Sequence, residues 1–237
     1  MSATVCNTSD DLEGSDVSSL LELGLDPGVL ALASEPKPRQ ALALARLVHS
    51  SEQWRLFADL RDSLRFIDIE TLGLAPEDPI TMVGISDGYS STVLVRGVDL
   101  VRERLARLLD GAGLFVTFNG IAFDVPRLKR AFPGLPWDLP HFDLAVQGRR
   151  VGLNGGLKKV ERTLGCRRPR SLQGVDGLEA IRLWRRHCQG DAGALRKLIR
   201  YCRADVENLI PVANRIYARL VAQSRQDESN GWIERRL

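Results

Sequence analysis

In the run Arg65-Phe66-Ile67-Asp68-Ile69-Glu70 two acids stand two residues apart in largely apolar, β-prone sequence. The run reads as a strand. Side chains on a strand alternate with period two, so Asp68 and Glu70 share one face while Ile67 and Ile69 turn the other way into a core. Burying an unpaired charge costs roughly several kcal/mol. Three arrangements resolve the conflict: an edge strand with its acidic face in water, an arginine partner for each acid, or a divalent cation between them.

The surrounding sequence decides the fold class. After a Gly/Pro-rich turn, Ile80 to Ser86 and Thr92 to Arg96 read as two further strands, and three strands in succession suggest an antiparallel meander. The pattern then changes. Val101 to Leu109 is an amphipathic helix ended by Gly111 to Gly113, Leu114 to Phe118 is a strand, and Phe123 to Arg130 opens a second helix. A short apolar piece, Phe142 to Val146, follows Pro140, and helical stretches lie near 156–164, 177–188 and 192–222. A meander followed by alternating strands and helices implies a mixed central sheet covered by helices, in the α/β or α+β class. The expected organisation is a disordered acidic tail over 1–18, a helical N-terminal lead-in over 19–63, the main domain over 64–222 and a C-terminal tail over 223–237.

Charge is distributed unevenly along the 237 residues, although the net value is only +3. Residues 1 to 36 hold seven acids and no Lys or Arg, which leaves 33 basic against 23 acidic residues in the remainder. Between Gln147 and Arg203 there are 15 Lys or Arg against 4 Asp or Glu. That stretch reads either as a phosphate-backbone contact surface or as a set of solvated helix faces, and it gains weight only beside a catalytic site. The chain lacks the roughly 18 uninterrupted apolar residues of a membrane span, and its N-terminus lacks a basic start followed by an apolar run. A cytoplasmic protein with no membrane partner is expected. The cysteines, Cys6, Cys166, Cys188 and Cys202, show no C-x-x-C pair or zinc-ligand spacing and read as reduced bystanders.

Three more residues join the acid pair. Asp124 follows a predicted strand at a helix start, where its ordinary role would be an N-cap. Tyr201 and Asp205 are four apart in a helical stretch and so project from one face. Taken singly, Tyr201 could be a core tyrosine and Asp205 half of a surface ion pair. His49, His141 and His187 read as satisfied polar or surface positions, and Asp143 as an acid supporting the site rather than a ligand.

Phe66-Ile-Asp68-Ile-Glu70-Thr71, Asn119-x-x-x-Phe123-Asp124 and Tyr201-x-x-x-Asp205 together resemble the three motifs of the DEDD superfamily of 3′–5′ exonucleases, in its tyrosine version. Arg200 stands where the histidine version needs a histidine. His141-Phe142-Asp143-Leu144 and Leu157-Lys158-x-x-Glu161 are similar to what YprB-type domains carry between the second and third motifs. The resemblance covers about residues 64 to 220 and implies a ribonuclease H-like fold. It also implies a two-ion Mg²⁺ or Mn²⁺ site held by Asp68, Glu70, Asp124 and Asp205, with Tyr201 orienting the attacking water. Thr71, Asn119 and Phe123 would meet the substrate, Phe123 by stacking, although a buried Phe at a helix start is an equal reading. The implied partner is DNA or RNA, at single-stranded 3′ ends, with a protein partner through the N-terminal region as a further expectation. Two other functions fit the same features: a nucleic-acid-binding module with weak cleavage, and an endonuclease acting on structured or hybrid duplexes.

Overall fold

The computed structural model describes residue 43, residues 47–172 and residues 174–234, with side chains through residue 227. The expected acidic tail and most of the lead-in lie outside the described residues. A 3₁₀ segment, Ser50–Phe57, and a shorter one, Arg61–Ser63, lead into the sheet. Five strands follow in the spatial order β3-β2-β1-β4-β5. They are β1 (Leu64–Thr71), β2 (Ile80–Ser86), β3 (Ser91–Val95), β4 (Leu114–Thr117) and β5 (His141–Asp143). β1, β2 and β3 pair antiparallel, as the meander requires, whereas β4 lies parallel to β1 and β5 parallel to β4. The sheet is therefore mixed, as the sequence pattern implied.

The helices are α1 (Arg102–Leu109), α2 (Asp124–Ala131), α3 (Leu144–Arg150), α4 (Leu157–Leu164), α5 (Gly177–Cys188) and α6 (Ala192–Glu234). α6 packs on β1, β2 and β3, and α2 packs on β1 and β2. Ile67 and Ile69 are buried in the main core with Leu105, Leu128, Phe115 and Val206. A second apolar cluster joins Met82 and Val95 to Leu183, Leu198, Tyr201 and Cys202.

Two ends of the domain differ from the sequence expectation. α6 runs to Glu234 rather than stopping near 222, because no Pro or Gly interrupts residues 223–230. Upstream of β1, Trp54 and Phe57 are buried in the main core, and the Gln53 side chain accepts a hydrogen bond from the His141 backbone at 2.9 Å. The apolar surface of the sheet thus draws part of the lead-in into the domain.

Candidate active site

The strand order brings the three motif segments to one end of the sheet. Asp68 and Glu70 lie on β1, and a bulge follows directly at Glu70/Thr71. Because β4 runs parallel to β1, the turn after β4 arrives at the same end. That turn is pinned by Asp143, which accepts from the backbone N–H of Asn119 at 2.9 Å and of Ile121 at 3.1 Å. Asn119 adopts the left-handed region, with φ 64°, a conformation that asparagine tolerates better than most residues. Gly120 is needed beside it, since a Cβ there would lie 2.2 Å from the Thr117 hydroxyl oxygen.

The turn delivers Asp124 as the first residue of α2. Its carboxylate does not cap the helix. Instead Oδ1 accepts from the Ile69 N–H at 3.1 Å, which ties the second motif to the first strand and rules out the N-cap reading.

α6 supplies Tyr201 and Asp205 from above the sheet. Its close approach depends on Gly84, which pairs with Asp68 across β1 and β2. A Cβ at this glycine would lie 3.1 Å from Cys202 Sγ and 3.3 Å from Val206 Cβ. The helix therefore rests almost on backbone, and its polar face reaches the acids. Asp205 is 5% exposed and pairs with Arg168 rather than with a neighbour on its own helix, so it is not the surface ion pair that its context allowed. Tyr201 is a core residue whose side chain also reaches the cleft: its ring is buried, and its hydroxyl accepts from Lys158 Nζ at 2.8 Å.

Electrostatics sets this end of the sheet apart. Burial pushes the Asp68 carboxyl well above the usual carboxylate range, and the nearby Asp205, Glu70 and Asp124 add to the effect. Glu70 is raised in the same way, by burial first and then by Asp205. Burial lifts Asp124 to about 7 against the opposing hydrogen bond from Ile69. Asp205 is also raised by burial, even though Arg168 and Lys158 oppose it. Burial and the acids drive the Tyr201 phenol far upward, so it stays protonated at neutral pH. The buried Glu70, Asp124 and Asp205 and the half-buried Asp68 face Arg168, Lys158 and Arg127, and Arg168 is shared with Glu161.

A hard divalent cation fits this donor set. Ligand atoms of Asp68, Glu70 and Cys202 lie within 4.8 Å of one another. The carboxylates are oxygen donors of the kind Mg²⁺ and Mn²⁺ prefer. They line a cleft of about 670 Å³ together with Thr71, Asn119, Phe123 and Lys158.

Every residue singled out for the site in the sequence lines this cleft: Asp68, Glu70, Thr71, Asn119, Phe123, Asp124, Tyr201 and Asp205. Phe123 sits at the rim, half-buried, with the Arg127 guanidinium 3.6 Å from its ring centre. Sequence reasoning missed Lys158, Arg168 and Cys202 as neighbours of the acids. Lys158 stood inside a quoted motif; Arg168 was one arginine among many, and only folding distinguishes it.

Comparisons with known proteins follow the same geometry. The family model of the RNase H superfamily matches residues 65–217. No curated protein matches the chain. Among solved structures, the chain is similar to Escherichia coli RNase D, an exoribonuclease involved in structured RNA processing, with a TM-score of 0.51 and 17% identity. The match covers 73% of this chain and 44% of RNase D, so the chain spans less than half of that protein. A sheet of this order, with three acidic segments converging at one end and a family match across most of the domain, shows that the chain belongs to the RNase H superfamily.

Proposed function

We propose that this protein is a divalent-metal-dependent 3′–5′ exonuclease of the tyrosine DEDD type, close to the YprB-type domains, hydrolysing phosphodiester bonds of DNA or RNA. One observation carries the reading: four carboxylates from three distant segments, three of them buried and Asp68 half-buried, meet in one cleft, and three nearby cations, one of them shared with Glu161, do not balance them. Asp68, Glu70, Asp124 and Asp205 would hold two Mg²⁺ or Mn²⁺ ions. When bound, such ions supply Lewis-acid activation of water and of the scissile phosphate.

The chain's own groups do the rest. The Tyr201 hydroxyl accepts from Lys158 and is held protonated, so it orients a water by hydrogen bonding rather than removing its proton. Lys158 has three ammonium protons, of which Tyr201 and the Val175 carbonyl take two, leaving one for a phosphate oxygen. Arg127 covers one face of Phe123, so the other is the face on which a terminal base would stack. Asn119 and Thr71 also line the cleft and would contact the terminal nucleotide. The likeness to RNase D, an exoribonuclease, makes RNA the first substrate to try.

The test is degradation of 3′- and 5′-labelled single-stranded RNA and DNA with Mn²⁺ or Mg²⁺, comparing wild type with Asp68→Asn. Stepwise loss from the 3′ end, abolished by EDTA and by the substitution, is the expected result. Internal cuts on end-blocked duplexes would replace the exonuclease with an endonuclease. Binding without cleavage would replace it with a binding module.

A further inference from the structure

Behind the carboxylates, Arg168 joins α4 to α6. Its Nε and Nη2 donate to the two oxygens of Glu161, each at 2.5 Å, and Nη2 also contacts Asp205 Oδ1. Glu161 accepts a further bond from Asn208 Nδ2 at 3.1 Å, less than one helical turn beyond Asp205. The pair is out of water, with side chains 11% and 2% exposed. Arg168 Nη1 is buried with no hydrogen-bond partner among the described residues.

Such a pair is a poor device for stability. Desolvation offsets most of its Coulomb attraction, and apolar replacements of buried pairs are often neutral or better. The orphaned Nη1 makes the arrangement costlier still. Contact with Asp205 gives it a different purpose.

We propose that Glu161 and Arg168 form a positioning pair that sets the divalent-metal affinity of the Asp205 carboxylate through their balance of charge. The inference rests on the metal site proposed above. Arg168 places one positive charge in contact with Asp205, where it competes with any other cation; Glu161 engages it through both oxygens and offsets most of that charge. The two residues therefore act in opposite senses. Without the guanidinium, Asp205 faces less competition and binds a cation more tightly. Without the Glu161 charge, the guanidinium is uncompensated, grips Asp205 harder and weakens cation binding. A clamp that only held α4 against α6 would weaken binding in both cases.

Mn²⁺ titration of the full chain, read by the loss of the free-ion electron paramagnetic resonance signal, separates these outcomes. R168Q is expected to tighten Mn²⁺ binding about tenfold and E161Q to weaken it about tenfold, each equivalent to about 1.4 kcal/mol. The double variant should return to within about threefold of wild type, since a neutral pair replaces a neutral pair. R168K keeps the charge without the forked geometry and stays within about threefold of wild type, which preserves the test if R168Q fails to fold. Shifts of the same sign in R168Q and E161Q, or an R168K affinity tightened as far as that expected of R168Q, would overturn the proposal while leaving the metal site standing. Absence of Mn²⁺ binding by wild type, or undiminished binding by D68N, would overturn both.

Discussion

Two buried sets of carboxylates occupy this domain, and they are satisfied in opposite ways. Asp143, at the end of β5, accepts backbone N–H groups from Asn119, Ile121, Ala145 and Val146 within 2.9 to 3.3 Å. Its charge is met entirely by fixed donors of the chain. The cleft acids have fewer: Asp124 accepts from Ile69, Asp205 contacts Arg168 and the Tyr201 hydroxyl, Asp68 chiefly faces other acids, and Glu70 faces Asp205 and Asp124 against Lys158 and Arg168. Asp143 and Asp205 are buried alike, 2% and 5% exposed, as are Glu70 and Asp124, while Asp68 is half-buried. What differs is the supply of donors. A buried carboxylate with a full set of N–H donors is a structural tie, whereas a group of acids short of donors is open to a cation from outside.

The largest expected effect is on Asp68. Asp68→Asn should lower cleavage of a labelled oligonucleotide by about 10³ or more, roughly 4 kcal/mol in the barrier. The same change should raise the metal-free melting temperature at pH 8, because it relieves repulsion among the acids. Retained cleavage, or a lower melting temperature, would break the contrast.

Asp143→Asn should do the reverse to stability. The amide leaves at least one backbone donor unmet, a loss of about 2–3 kcal/mol and a fall of roughly 5–10 °C in melting temperature for a chain of this size. An unchanged melting temperature would show that Asp143 is not the tie its hydrogen bonds describe.

A smaller effect follows from Asp124, raised to about 7 from an ordinary carboxyl near 3.8. Since the folded value lies above the unfolded one, its stabilising contribution is full below about pH 4 and is lost as pH rises through about 7. Metal-free protein should therefore melt at lower temperature at pH 8 than at pH 5, by an amount equivalent to about 1–2 kcal/mol. Saturating Mn²⁺ should flatten that decline. A metal-free protein more stable at pH 8 would contradict the account.

Tyr201→Phe is the mildest probe, costing about tenfold in turnover, or about 1.4 kcal/mol, if the hydroxyl orients water. Loss of the basic limb of the pH–rate profile in this variant would instead make Tyr201 a base.

Much of this architecture can be read along the chain because it is written in local periodicity. The alternation in Arg65–Glu70 places both acids on one face wherever that strand ends up, and the four-residue spacing of Tyr201 and Asp205 does the same on a helix. The boundaries of β2, α2 and α5 follow from apolar spacing and Gly or Pro breaks in the same way. Local pattern also assigned Asp124 an ordinary cap, and only the parallel pairing of β1 with β4 turns its carboxylate onto the Ile69 backbone. Arg168 and Lys158 belong to a crowded basic segment in which every residue looks alike. Their selection depends on which side chains α4 and the loop after it carry to α6, and on how closely Gly84 lets α6 approach the sheet. Residue type and spacing are properties of neighbours in sequence, and the elements and the acids they carry follow from them. Which charges meet donors and which meet one another depends on segments up to 137 residues apart, such as those of Asp68 and Asp205, and is settled by how the folded chain brings them together.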